Sequence, residues 1–326
     1  MGGILKRTRL DQIPSLSDNV QSQLVKIGIT TAELLAHSVP EIISSGIEIS
    51  KEQSLKIIRL AKQAIGISGF KTSFEMKEKN VPLLGTGFDC IDKSLGGGFR
   101  SESIVEIQGQ QWAGKTLMCA HLAIQAQLVE TDNGSVPKVI WYDTDQSYRK
   151  KRIMEIAYRY RMDSKVALKN VIMVDVKKRG FLEPNFESVR NALAKHHVSL
   201  VIIDSLGGAL KHQENRSTSS GVLENISRIS RPTGSIFVLT NRLRYGFSRS
   251  MFHEYKRSGS QSSMIDYVLH LHLIEEGERN VVSTDYHDGL HTECKLYIGN
   301  GGFFGNRTSR NKETTRVQRY LNSSSL

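Results

Sequence analysis

Eight residues, GQQWAGKT from Gly109 to Thr116, have the spacing of a loop that grips phosphate. The glycines at the two ends of its first six residues let the backbone turn tightly, so that amide groups converge on an anion. The lysine that follows supplies charge for the β and γ phosphates, and the adjacent hydroxyl can ligate magnesium. The nucleotide-contacting set this spacing predicts is Gly109, Gln110, Gln111, Trp112, Ala113, Gly114, Lys115, Thr116 and the next residue, Leu117. In LVIID, an apolar run ends in Asp204, a carboxylate at a strand tip that suits the water shell of magnesium. In WYDTD, Asp143 and Asp145 are both candidates for orienting or deprotonating an attacking water, and either one equally suits capping of the helical segment that follows. The catalytic candidates are therefore Lys115, Asp204 and an aspartate of this pair, and the metal candidates are Thr116 and Asp204.

These groups need elements to carry them. The glycine loop follows the strand-like SIVEIQG directly and runs into KTLMCAHLAIQAQL, whose apolar positions 117, 120, 122, 123, 124 and 128 suit a buried helix. KVIWYDTD, VIMVD, SLVIIDS and SIFVLTN read as further strands separated by helical stretches, the alternation of a mainly parallel sheet covered by helices. YVLHLHLIE and ECKLYIG read as antiparallel additions to it, with His270 and His272 as surface or edge residues. Residues 1–66 read as a small helical domain, with Thr30 or Thr31 and a Ser50/Gln53 capping box as helix starts and Gly28, Gly46 and Gly66 as stops. Residues 67–82 read as a polar linker, 83–305 as the α/β core and 306–326 as a basic flexible tail.

Composition narrows the partner. Lys and Arg number 44 against 33 Asp and Glu, a net charge of +11, which favours a polyanion such as nucleic acid. Cys90, Cys119 and Cys294 lie far apart, so no disulfide framework or zinc site is implied, and the expected setting is intracellular. No stretch has the length and apolarity of a membrane span, so no membrane partner is expected. RLRYGFSRSMFHEYKR interleaves Arg242, Arg244, Arg249, Lys256 and Arg257 with Tyr245, Phe247 and Phe252. Positive charge tracks a phosphate backbone while aromatic faces accept unstacked bases, so this loop suits single-stranded nucleic acid.

From about Leu10 to about Gly305 these pieces together resemble the RecA/RadA family of strand-exchange recombinases, in the archaeal and eukaryotic branch with a helical N-terminal domain. LGTGFDCIDKSLGGGFRSESIVEIQG is similar to the family's lead into its phosphate loop, with Gly87, Asp92, Gly97 and Gly98 in register. WYDTDQSYRKKR is similar to Y-I-D-T-E-G-x-F-R-P-E-R, VIIDS to the family's Walker B strand, and TNR at 240–242 to T-N-Q. The resemblance implies an α/β RecA-like P-loop ATPase core with a mainly parallel sheet, preceded by a helix-hairpin-helix-like domain, with ATP and Mg2+ as cofactors. It makes Asp145 the counterpart of the catalytic Glu, one methylene shorter, which implies slow hydrolysis. It gives Arg149 the task of stacking on adenine, and it places Arg242 where a Gln usually couples nucleotide to DNA.

By the same resemblance ENRSTSSG, with Arg216, corresponds to a first DNA loop and the aromatic, basic segment to a second. Phe70 and Ser73 of FKTS correspond to the F-x-x-A motif that joins neighbouring subunits. PSLSDN (14–19) lacks the glycine of the family's DNA-binding hairpin turn, so a packing or partner role is expected there. The implied activity is ATP-dependent single-strand binding, filament formation and strand exchange. The alternative is a recombination mediator or paralogue that binds ATP and DNA but exchanges strands little. The implied partners are single-stranded and duplex DNA, further copies of the chain as filament or ring, and other recombination mediators. The implied location is the nucleus in a eukaryote, or the cytoplasm or nucleoid in an archaeon.

Overall fold

The computed structural model describes residues 8–66, 81–129, 134–174, 187–207, 219–242 and 264–323. The first segment holds α1 (Asp18–Lys26), α2 (Ala32–Ala36), α3 (Pro40–Gly46) and α4 (Lys51–Ala64). Side-chain oxygens start three of these helices by accepting orphan amides: Ser17 from Val20 N, Thr31 from Leu34 N, and Ser50 from Gln53 N at 3.1 Å. Gln53 reaches back to the Ser50 amide at 2.9 Å, which completes a capping box. Leu24, Ile29, Leu35, Ile43 and Ala61 close a core of their own between these short helices.

The remainder contributes β1 (Leu83–Leu84), α5 (Asp89–Ser94), β2 (Phe99–Arg100), β3 (Ile104–Gly109), α6 (Lys115–Gln127), β4 (Lys138–Asp143), α7 (Lys150–Arg159), α8 (Ser164–Lys169) and β5 (Val171–Val174). Then come α9 (Glu187–Lys195), β6 (Val198–Asp204), α10 (Ser219–Thr233), β7 (Ile236–Arg242), β8 (Tyr267–Glu275), β9 (Glu278–Asp285), β10 (Leu290–Gly299), β11 (Gly302–Phe304) and α11 (Arg307–Ser323). Nine strands of the described residues form one sheet in the order β11-β10-β9-β8-β3-β7-β6-β4-β5. It is parallel from β8 to β5 and antiparallel from β8 through β11.

Alternate residues of the central strands face opposite layers. Val139 and Trp141 of β4 join Ile202 of β6 and the buried stripe of α6 on one face, while Ile140, Tyr142 and Ile203 join Leu193, Ile226 and Ile229 on the other. Both faces are covered, which is why these strands are apolar almost throughout. The N-terminal helices rest on the α9 and α10 side, where Gly28 approaches Arg190 so closely that a Cβ there would lie 3.1 Å from the arginine's own Cβ. Among the described residues no helix is long and apolar enough to cross a membrane.

Three expectations need correction. First, YVLHLHLIE is not a purely antiparallel addition: β8 pairs parallel with β3 and antiparallel with β9. His270 and His272 therefore lie on an interior strand, and burial pushes the His270 imidazole down to about 4. Secondly, β9 itself is absent from the expected strands because ERNVVSTD is largely polar. Its polar residues are nonetheless buried, with Glu278, Arg279, Ser283, Thr284 and Asp285 each at most 7% exposed. Thirdly, residues 306–326 are not a flexible tail, since 307–323 form α11. Its burial comes from Val317 and from Tyr320, whose ring stacks on Tyr158 at 4.0 Å and whose hydroxyl lies 3.3 Å from the Ser164 hydroxyl.

Candidate nucleotide-binding site

The register of the sheet assembles the site at the carboxyl ends of the parallel strands, where open α/β sheets receive ligands. Asp143 of β4 stands beside Asp204 of β6, and Gly109 of β3 beside Arg242 of β7. The glycine loop leaves β3 and enters α6 through Gly114, at φ +100°, with Trp112 also left-handed at +66°. A Cβ on Gly109 would meet the Leu271 carbonyl at 2.7 Å, and one on Gly114 would meet the Phe303 ring at 2.9 Å. The loop is thus seated against β8 and β11 at spacings only glycine allows.

Lys115 Nζ donates to the carbonyls of Gly109 at 2.9 Å and Gln110 at 2.8 Å. Burial lowers its pKa, and the nearby Asp204 carboxylate pulls the other way. Asp204 accepts from Thr240 Oγ1 at 2.6 Å and from Ser147 Oγ at 3.0 Å. Burial raises its pKa, since desolvation disfavours the charged form and the hydroxyl donors offset only part of that. Thr116 Oγ1 donates to Ser147 Oγ at 3.3 Å, so Thr116, Ser147 and Asp204 form a continuous polar string from the start of α6 to the tip of β6.

The two aspartates of WYDTD are separated by their partners. Asp143 accepts the backbone amides of Ser147 at 2.8 Å and Tyr148 at 3.0 Å, which ties the turn ahead of α7. Asp145 accepts one bond from Ser205 Oγ at 3.0 Å, and its charge reaches Lys115. Neither aspartate caps α7, whose N-cap Arg149 has no side-chain bond; Asp143 ties the turn ahead of it, and Asp145 acts on Lys115 through its charge. Arg149 donates through Nη1 to the carbonyls of Gln146 and Tyr148, both at 2.9 Å, and so folds back on its own turn.

Arg242 is exposed at the end of β7, its amide donating to Asn241 Oδ1 at 2.9 Å. Asn241 in turn donates to Glu106 at 3.0 Å, and Gln108 donates to the same carboxylate at 2.7 Å. Burial raises the pKa of Glu106. The other DNA candidates, Arg216, Arg244, Tyr245, Phe247, Arg249, Phe252, Lys256 and Arg257, lie outside the described residues, as do Phe70 and Ser73.

Four participants escape a reading of the sequence: Ser147, Thr240, Glu106 and Arg279. Thr240 carries a faint signal as the first letter of TNR. Arg279 carries none, although its guanidinium donates to the loop carbonyls of Trp112 and Ala113, both at 2.9 Å. The donor set near Lys115 suits magnesium triphosphate: one hydroxyl and one carboxylate stand beside an anion-binding loop, and magnesium keeps waters and phosphate oxygens as its other ligands. Among the described residues no three His, Cys, Asp or Glu side chains cluster as an all-protein metal cage would require.

The chain is similar in sequence to known proteins. Residues 77–227 match the family model of Rad51. A DNA repair and recombination protein RadA of Aeropyrum pernix (strain K1) is 28% identical over 203 residues, which cover 60% of this chain and 62% of that relative. The match thus spans less than two thirds of the relative's own length. Both matches make the chain similar in sequence to proteins of the RecA/RadA family.

Proposed function

From the match of residues 77–227 to the family model of Rad51, we propose that the chain binds ATP and DNA in recombination and repair, assembling head to tail and promoting homologous pairing and strand exchange. The observation that carries this reading is the meeting of Lys115, Thr116 and Asp204 at the carboxyl edge of the sheet, beside a loop whose glycines are sterically required. Magnesium ATP, when bound, supplies the phosphoanhydride and the charge neutralisation that its cleavage requires.

The residues around it have separable tasks. Lys115 and the backbone amides of the loop from Gly109 to Leu117 hold the phosphates, Thr116 and Asp204 hold the metal, and Arg149 stacks on the adenine. Asp145 orients water. Arg242 and the basic, aromatic loop beyond it hold single-stranded DNA, and Phe70 with Ser73 joins one copy to the next.

One observation favours the second reading, a mediator or paralogue with little strand exchange of its own. The Asp145 carboxylate is one methylene shorter than a Glu and is held by Ser205, so water is oriented poorly and hydrolysis is slow. The deciding experiment incubates the purified full chain with ATP, homologous single-stranded DNA and duplex. Joint molecules support strand exchange, and ATP-dependent filaments without joint molecules support the mediator. If nucleotide alters neither assembly nor DNA affinity, both readings fall.

A further inference from the structure

A phosphate-binding loop points its amides at the ligand, so its carbonyls face away and need donors of their own. Here one buried side chain meets that need. Arg279, 7% exposed, donates Nε to Ala113 O and Nη2 to Trp112 O, both at 2.9 Å. Its Nη1 donates to Glu278 O at 2.8 Å and to Glu275 O at 3.3 Å. These four acceptors are backbone carbonyls, which orient the guanidinium without neutralising it.

The geometry points to Arg279 as a positioning residue for the nucleotide loop, an inference that rests on the ATP-binding reading above. The peptide bond is planar, so the carbonyl of Ala113 and the amide of Gly114 turn together, and fixing one aims the other. Trp112 is a non-glycine residue in left-handed backbone, a conformation that an L residue rarely adopts and that persists where its surroundings enforce it. The bond from Arg279 to the Trp112 carbonyl enforces it. A guanidinium places five donors in one rigid plane and here meets four carbonyls on two sides, which the three donors on the single nitrogen of a lysine cannot do.

The brace is itself anchored. Arg307, at the start of α11, donates Nε to Glu278 Oε1 at 2.7 Å and Nη2 to Glu275 Oε1 at 3.2 Å, gripping the β8–β9 turn whose carbonyls hold Arg279. Trp112 meanwhile presents its indole to solvent, 82% exposed, while Trp141, the other tryptophan, is buried. The solvent-shifted part of the indole emission therefore comes from the loop, on top of the contribution of buried Trp141.

The test titrates the full-length wild type, Arg279→Lys and Arg279→Met with ATP and magnesium, by calorimetry and by indole emission. Arg279→Met should weaken ATP binding roughly tenfold or more and shift the emission before any nucleotide is added. Arg279→Lys, which keeps the charge but not the fork, should fall between the two. A folded Arg279→Met that binds ATP within about twofold of wild type, with unchanged emission, overturns the assignment. If Arg279→Met fails to fold, Arg279→Lys decides: affinity weakened about threefold or more supports the brace and wild-type affinity refutes it. A wild type that binds no ATP would sink the functional reading instead. The resting emission of the variants would still show whether Arg279 sets the loop.

Discussion

The strand tips that carry the candidate chemistry are built on opposite plans. At β3 and β6, the glycine loop, Lys115 and Asp204 meet through side chains and backbone drawn from distant parts of the chain, and the polar string from Thr116 to Asp204 runs through a single hydroxyl. At β4, Asp143 and Arg149 close the turn between them on itself, while Thr144, Asp145 and Ser147 bond across to the tip of β6. Asp143 takes two amides of that turn, and Arg149 takes two of its carbonyls. Both tips are rich in charge, yet the first is arranged to receive a ligand, whereas at the second Asp143 and Arg149 mainly hold a shape. Charge at a strand end is therefore a poor guide to function until its partners are counted.

The sharpest way to break this contrast is Lys115→Ala. It should lower ATP affinity by about 100-fold or more and abolish ATP-dependent DNA binding while leaving the melting temperature nearly unchanged, read by calorimetry and thermal denaturation. Asp143→Ala should do the reverse. Removing the acceptor of two amides should cost about 1–3 kcal/mol of stability in urea unfolding, with a smaller effect on ATP affinity in the folded protein. Loss of ATP binding as deep as that of Lys115→Ala would mean that the β4 turn belongs to the grip after all.

Asp145→Glu probes the boundary between the two plans. It restores the missing methylene and should raise ATP turnover by roughly several-fold in a steady-state assay, while an unchanged rate would remove Asp145 as the water-orienting group. The smallest effect is expected from Glu106→Gln. Burial raises the folded pKa of Glu106 above its unfolded value, and the amides of Asn241 and Gln108 offset only part of this. Its contribution to stability is accordingly full below the unfolded pKa, about 4.3, and is lost as pH rises through the folded pKa. Melting temperatures recorded across that window should show a shallower fall in Glu106→Gln than in wild type.

How much of this was legible in the sequence depends on whether a feature is contiguous. The glycine loop, Lys115, Thr116 and the apolar strand ending in Asp204 are local patterns, and the alternation of strand and helix follows from hydrophobic runs. Ser147, Thr240 and Arg279 matter because strand register and a hairpin turn bring them to groups far away in the chain, and no spacing rule encodes that. Strand β9 was hidden because its buried residues are mostly polar and satisfied by hydrogen bonds. Helix α11 was hidden because one valine and a stacked tyrosine, in place of an apolar stripe, hold it down. Asp143 and Asp145 could not be told apart from sequence because either suits a cap; in the structure neither caps α7, and they differ in that Asp143 takes two amides of the turn.

The tyrosine stack gives α11 a reach beyond its own length. Tyr320 lies flat on Tyr158, and Arg316 covers the same ring from 5.2 Å, so the segment acts as a clasp across the helix that begins directly after Arg149. Cleavage between Gly305 and Arg307 would release that clasp, baring an aromatic face and slackening the helix next to the turn that Asp143 and Arg149 hold. A protease nick there should be felt at the nucleotide, even though the cut lies in a segment whose composition reads as dispensable.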